Sequence, residues 1–288
     1  MKLVKSFLQY QLERFPLIVL IPVSLSGVIG TSAILGLHNW ITVALATCLT
    51  VSFLFHVRVI DEVRDFSHDN EYHPDRPVQK QAISIGELKI LRAISLLLFF
   101  GISLSSLQTF ILAALVFLYS SLAGRDFFCP NKIRKYFYAY NLLNMVQLIG
   151  LQIVVYTMFN WNYSFNKIVI THIILVFLLS LLLEVVRKIK LPKDETLGRD
   201  TYSSRLGFTG SIVFLAVILT LILLPVGYIL LSGGRPYGIV VPSVFYTLSL
   251  CIAAIHYIKK SQATEKLMLL VSAVYYLAVN VSLYIFIR

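Results

Sequence analysis

The sequence predicts an all-α membrane protein, with nine transmembrane helices in a bundle around a central cavity and two Asp-rich loops on the cytoplasmic side. Three observations predict it. The 288 residues are 58% hydrophobic and 14% charged, with a mean hydropathy of +0.80, a balance that soluble domains do not show. Apolar stretches of near-bilayer length recur along the whole chain. Ten of the fourteen carboxylates fall in two short polar segments between those stretches.

The expected spans are residues 15–36, 39–58, 88–107, 108–124, 136–158, 166–186, 210–232, 238–258 and 266–287. The first follows scattered Lys with no small-residue cleavage site, so it is expected to be retained. Spans three and four join through a minimal turn near Ser105 and Ser106. No linker separates domains, so residues 1–288 read as one polytopic unit. Each acidic segment follows an even-numbered span, a weak echo of two related halves.

Charge placement sets the orientation. Counting the flanking span ends, the side of the N-terminus and the loops 59–87, 125–135, 187–209 and 259–265 carries 22 of the 25 Lys and Arg; only Lys167, Arg235 and Arg288 fall on the other. Lys tracts near membranes face the cytoplasm, which puts the N-terminus and both acidic segments there and the C-terminus outside. The net charge of +11 flanks spans and acidic segments. Membrane lipid headgroups and an anionic substrate explain it; nucleic acid is not an expected partner. Cys48, Cys129 and Cys251 lack metal-site spacing and read as reduced thiols.

The first acidic segment holds Asp61, Glu62, Arg64, Asp65 and Asp69, then Arg76 and Pro77. Asp61, Asp65 and Asp69 stand at i, i+4 and i+8, so on a helix they fan across one face. Oxygen ligands on one face suit Mg²⁺, which takes one or two carboxylates together with substrate phosphate. Glu62 points off that line, toward a structural role. Arg64 and Arg76 either balance the acids or grip phosphate. Pro74 and Pro77 are expected to end the helix and force an extended segment.

The second segment holds Glu184, Arg187, Lys188, Asp194, Glu195, Gly198 and Arg199. Arg187 and Lys188 share the helical face of Glu184. Glu184 and Asp194 are candidates for a second Mg²⁺, and Arg187, Lys188 and Arg199 for terminal phosphates. Two metals with basic groups stabilise a departing diphosphate, here held between two facing sites. Without that role, three aligned Asp would only repel one another. A lone loop His, such as His56, His68 or His73, reads as no ligand.

At these segments the chain resembles the UbiA superfamily of intramembrane prenyltransferases. Its first motif, Asn-x-x-x-Asp-x-x-x-Asp followed by Arg-Pro, matches Asp61, Asp65, Asp69 and Arg76-Pro77, with Asp61 at the Asn position. Its second motif, Asp-x-x-x-Gly and then a basic residue, matches Asp194, Gly198 and Arg199; upstream this chain has Lys190 and Lys193 where the family is often acidic. The resemblance implies nine helices, with the motifs after helices two and six. It also implies Mg²⁺ as cofactor and an isoprenyl diphosphate as donor, with Asp61, Asp65, Asp69 and Asp194 catalytic.

Tyr138, Asn141 and Asn144, with Gln147, place polar groups within span five. They line either a wall near a lipophilic acceptor or an interhelical hydrogen-bond seam. Tyr119 and Gln152 are weaker candidates of the same kind. No residue declares itself as a base for an acceptor. The expected function is transfer of an isoprenyl group to a lipophilic acceptor. The alternative is a terpene cyclase acting on the donor alone. A divalent-cation or diphosphate transporter is disfavoured, because its charges belong at mid-membrane.

Overall fold

The computed structural model describes residues 2–195 and 201–287. Among these residues the regular structure is helical: α1 Lys2–Arg14, α2 Leu17–Leu35, α3 Trp40–Arg64, α4 Phe66–Tyr72, α5 Ile85–Ser103, α6 Leu107–Ala123, α7 Pro130–Ile133, α8 Phe137–Phe159, α9 Lys167–Arg187, α10 Tyr202–Ser232, α11 Val240–Lys259 and α12 Gln262–Ile287. Two 3₁₀ turns, Asp126–Phe128 and Pro236–Ile239, join them.

Among the described residues seven helices (α2, α3, α8, α9, α10, α11 and α12) are long and apolar enough to cross a membrane. The expected third and fourth spans fall on α5 and α6. α5 carries Glu87, Lys89 and Arg92 in its first turns, and α6 has only 17 residues. Ser84 and Glu87 close a reciprocal cap on α5, and Ser106 caps α6 after the tight turn expected there. α1 was not expected as a helix. Pro16 separates it from α2, because a proline ring clashes with a helix continuing through it. Large apolar side chains such as Leu97, Leu224 and Ile258 remain exposed on helix faces, as lipid-facing positions require.

The chain forms two compact units. The first comprises residues 1–25 and 40–161. Here α3 packs on α5 and α8, and α6 packs on α5 and α8. Leu49, Phe53, Phe99, Ala113, Val116, Leu151 and Val154 interlock as its core. Dense packing rather than water exclusion holds such helices together in lipid. Small residues set the approach: a Cβ on Gly150 would stand 2.7 Å from the Val116 side chain.

The second unit comprises residues 26–39 and 162–288. α9 packs on α10 and α12, and α11 packs on α10 and α12. A Cβ on Gly30 would stand 2.6 Å from Asn280 Oδ1 and 3.1 Å from His172 Nε2, so any larger residue there has to displace those side chains. α10 starts earlier than residue 210. Thr201 and Ser204 cap it reciprocally, and Gly207 then interrupts it at φ 71° and ψ 166°. That left-handed, extended conformation is open to glycine at low cost.

After Pro74 and Pro77 the backbone forms consecutive turns, not the expected extended segment. Arg76 N–H donates to His73 O, Lys80 N–H to Arg76 O and Ala82 N–H to Pro77 O. Proline fixes only φ near −65°, which serves a turn as well as a strand.

Candidate active site

In the first unit the i, i+4 spacing of the acids survives the helix end. The N–H of Asp65 donates to Asp61 O at 2.9 Å, that of Asp69 to Asp65 O at 2.8 Å, and that of His73 to Asp69 O at 2.9 Å. Asp65 itself sits between α3 and α4 at φ −96° and ψ 9°. Helical register thus runs through a slight break, and the three carboxylates stay in sequence along it.

Their partners are guanidinium groups. Arg64 Nη2 lies 2.8 Å from Asp61 Oδ1 and 3.0 Å from Asp65 Oδ2, while its Nε donates to Asp65 Oδ1 at 3.0 Å. One cationic nitrogen is therefore shared by two carboxylates on successive turns. Asp69 is buried and pairs with Arg76. Burial pushes the Asp65 carboxyl up, but the hydrogen bond and charge of Arg64, with Arg134 and His68 adding, hold it below the usual carboxylate range.

Glu62 does something different. It is 2% exposed and accepts from Arg14 Nε at 2.9 Å and from Arg58 Nη2 at 2.6 Å. Tyr10 OH reaches the same oxygen at 3.4 Å. Burial pushes the Tyr10 phenol up to about 12, the Arg58 charge working against it. Glu62 is thus a tie between α1 and α3, in keeping with its position off the Asp line.

In the second unit Glu184 receives Arg187 at 2.7 Å and Lys188 at 2.9 Å, the two residues expected to share its face. Asp194 lies in the turn after Pro192, its N–H donating to Leu191 O at 2.9 Å. Glu195 is better held: Thr201 Oγ1 donates to it at 2.7 Å and Ser203 Oγ also donates to it, beside the start of α10. Gly198 and Arg199 lie outside the described residues.

Three residues of the first unit escaped the sequence reading. Asp126 is buried and accepts from Arg134 Nη2 at 2.6 Å and from Tyr140 OH at 3.1 Å. Arg134 Nη2 also stands 3.8 Å from Asp65, and Arg64 lies over the Tyr140 ring at 5.8 Å. The network thus runs from the Asp ladder to α8. A single acid in a loop with Arg125, Lys132, Arg134 and Lys135 was the available signal. Asp126, Phe127 and Phe128 all adopt positive φ, at 49°, 50° and 59°. Such a run costs roughly 1–2 kcal/mol per residue and has to be held by contacts such as those of Asp126.

The amides of α8 bond to their own helix. Asn141 donates to Phe137 O at 2.8 Å, Asn144 to Tyr140 O at 3.0 Å and Gln147 to Asn144 O at 2.7 Å. Tyr138 is exposed and Asn141 buried. Gln147 Oε1 is buried with no hydrogen-bond partner among the described residues.

Residues 19–274 match the model of the UbiA prenyltransferase family. The chain belongs to the UbiA prenyltransferase family. Solved structures agree with this at the level of fold. One, from work on digeranylgeranylglyceryl phosphate synthase in membranes, is 18% identical with a TM-score of 0.63, covering 100% of this chain and 99% of that one. Another, an apo UbiA homolog from Aeropyrum pernix K1, is 13% identical with a TM-score of 0.66, covering 91% of this chain and 97% of that one. Comparison with curated proteins gives no match. UbiA membership and the apolar helices make the chain an integral membrane protein of a prenyltransferase family.

Proposed function

We propose that the chain is a Mg²⁺-dependent intramembrane prenyltransferase, moving an isoprenyl group from its diphosphate to a lipophilic acceptor. The observation that carries this reading is the shared cation position in the first acidic segment. Arg64 Nη2 bridges Asp61 and Asp65, so two hard oxygen donors already converge on one positive centre. That donor set fits Mg²⁺, and Asp61, Asp65 and Asp69 would hold it. When bound, the metal supplies charge neutralisation for the departing diphosphate.

The chain's own groups do the rest. Arg64 and Arg76, each now engaged with these acids, have the forked geometry to hold phosphate oxygens. In the second unit Glu184 and Asp194 are the proposed carboxylate ligands. Arg187 and Lys188 are proposed to bind phosphate, and the family motif assigns the same role to Arg199. Tyr138, Asn141 and Asn144 are proposed for the acceptor side. The basic flanks orient the acidic segments toward the cytoplasm, where a soluble diphosphate is at hand.

The test is turnover by purified protein given geranyl, farnesyl or geranylgeranyl diphosphate with a lipid extract. Pyrophosphate release and a prenylated lipid are expected with Mg²⁺, lost with EDTA and restored by Mg²⁺. Turnover indifferent to chelation would overturn the metal assignment. A cyclic hydrocarbon from donor alone would make the protein a cyclase.

A further inference from the structure

Next to the Asp ladder, two imidazoles come together with Asp69. Asp69 and His73 are four apart, and His73 ends α4 with its N–H bonded to Asp69 O at 2.9 Å. That bond continues the helical ladder to His73. His68 Nδ1 stands 3.5 Å from Asp69 Oδ1, and its ring rests against Tyr72 with centroids 4.7 Å apart. The rings of His68 and His73 are 6.0 Å apart. One ligand atom from each of His68, Asp69 and His73 lies within 4.8 Å of the others. Arg76 engages Asp69 Oδ2, while Oδ1 faces His68.

Two imidazoles and one carboxylate are a donor set for borderline transition ions. Mg²⁺ prefers oxygen and water and gains nothing from imidazole. His68 Nδ1 and Asp69 Oδ1, 3.5 Å apart, are already near the edge length of a tetrahedral site with bonds of about 2.0–2.1 Å. His68 is exposed and His73 half-buried, so both side chains have room to adjust about an ion.

We propose that His68, Asp69 and His73 form a binding site for a borderline divalent ion, Zn²⁺ or Co²⁺, separate in metal preference from the oxygen site on Asp61 and Asp65. Because Asp69 belongs to both sets, occupancy of the imidazole site takes a carboxylate from the Mg²⁺ site. Zn²⁺ is then an inhibitor of Mg²⁺-dependent turnover. The inhibition rests on the prenyltransferase reading; the metal binding does not.

The experiment is Co²⁺ titration of the full-length protein in detergent, followed by its visible d–d absorption, with Mg²⁺ in excess throughout. One saturable equivalent is expected, displaced by stoichiometric Zn²⁺, whereas Mg²⁺, competing only for the shared Asp69, raises the apparent Co²⁺ dissociation constant without removing the band. His73→Gln should weaken binding by at least the roughly 10–100-fold that loss of a mere outer-shell partner costs. His68→Ala with His73→Ala should abolish it while thermal unfolding of the apo protein stays unchanged. No saturable band, a band that survives in the double variant, or a band that Mg²⁺ removes as readily as Zn²⁺ does would each overturn the site. Absence of prenyl transfer would leave this titration intact and bear only on the proposed function.

Discussion

Asp65 stands where α3 gives way to α4, holds two arms of Arg64 and lies within reach of Arg134. Asp65→Asn keeps its shape and removes its charge. Turnover should fall by at least about a hundredfold, as when a transition-state contact is lost, with expression unchanged; a variant retaining half of parent turnover would remove Asp65 from the site. Acid stability offers an independent check. The folded carboxyl is held below its ordinary value of about 3.9. Ionised Asp65 therefore favours the fold above that pH, and the benefit fades as pH falls through the lower folded value. Unfolding midpoints in detergent should drop less steeply below about pH 4 in Asp65→Asn than in the parent. Identical acid limbs would mean that Arg64 gains nothing from Asp65. The ladder was legible because four-residue spacing is local. The sharing of one Arg64 nitrogen by two acids was not, since it depends on rotamers.

At the scale of elements, legibility followed how local the cause was. The turn at Ser106 and the pairing of Glu184 with Arg187 and Lys188 come from neighbours within four residues. The Asp126, Arg134 and Tyr140 cluster depends on a run of left-handed residues that no spacing announces. α1 was missed because its thirteen-residue amphipathic pattern is too short and too charged to read as a membrane span. Close helix approach was also invisible in sequence. Gly30→Ala would drive a methyl toward Asn280 Oδ1, where a Cβ would stand 2.6 Å away. A loss of roughly 1–3 kcal/mol is expected from such overpacking, read as a lower unfolding temperature. An unchanged midpoint would show that Asn280 swings aside freely.

For the whole molecule, hydropathy identified the class and the positions of the long helices. It did not anticipate that α5 would start at Ile85 and take Glu87 into its first turn. The proposed orientation has a direct readout in the native cysteines. All three are exposed, but Cys48 and Cys251 lie within α3 and α11, whereas Cys129 lies in the connection before α7. A membrane-impermeant maleimide should label Cys129 in inverted vesicles and not in right-side-out cells. The opposite pattern would reverse the topology, and with it the side from which donor arrives.

The link from Glu62 to Arg14 and Tyr10 makes the first thirteen-residue helix a buttress for α3, which carries Asp61 of the proposed metal ligands and leads directly into Asp65. Shortened or N-terminally fused versions of this chain should therefore be chosen with care. Removing residues 2–14 strips Glu62 of two of its three partners and leaves a buried carboxylate leaning on Arg58 alone. The expected cost is roughly the 3–5 kcal/mol of a broken buried pair. It should show as poor yield or a lowered melting temperature even though no proposed ligand has been touched, and Glu62→Gln in the shortened chain should recover part of it.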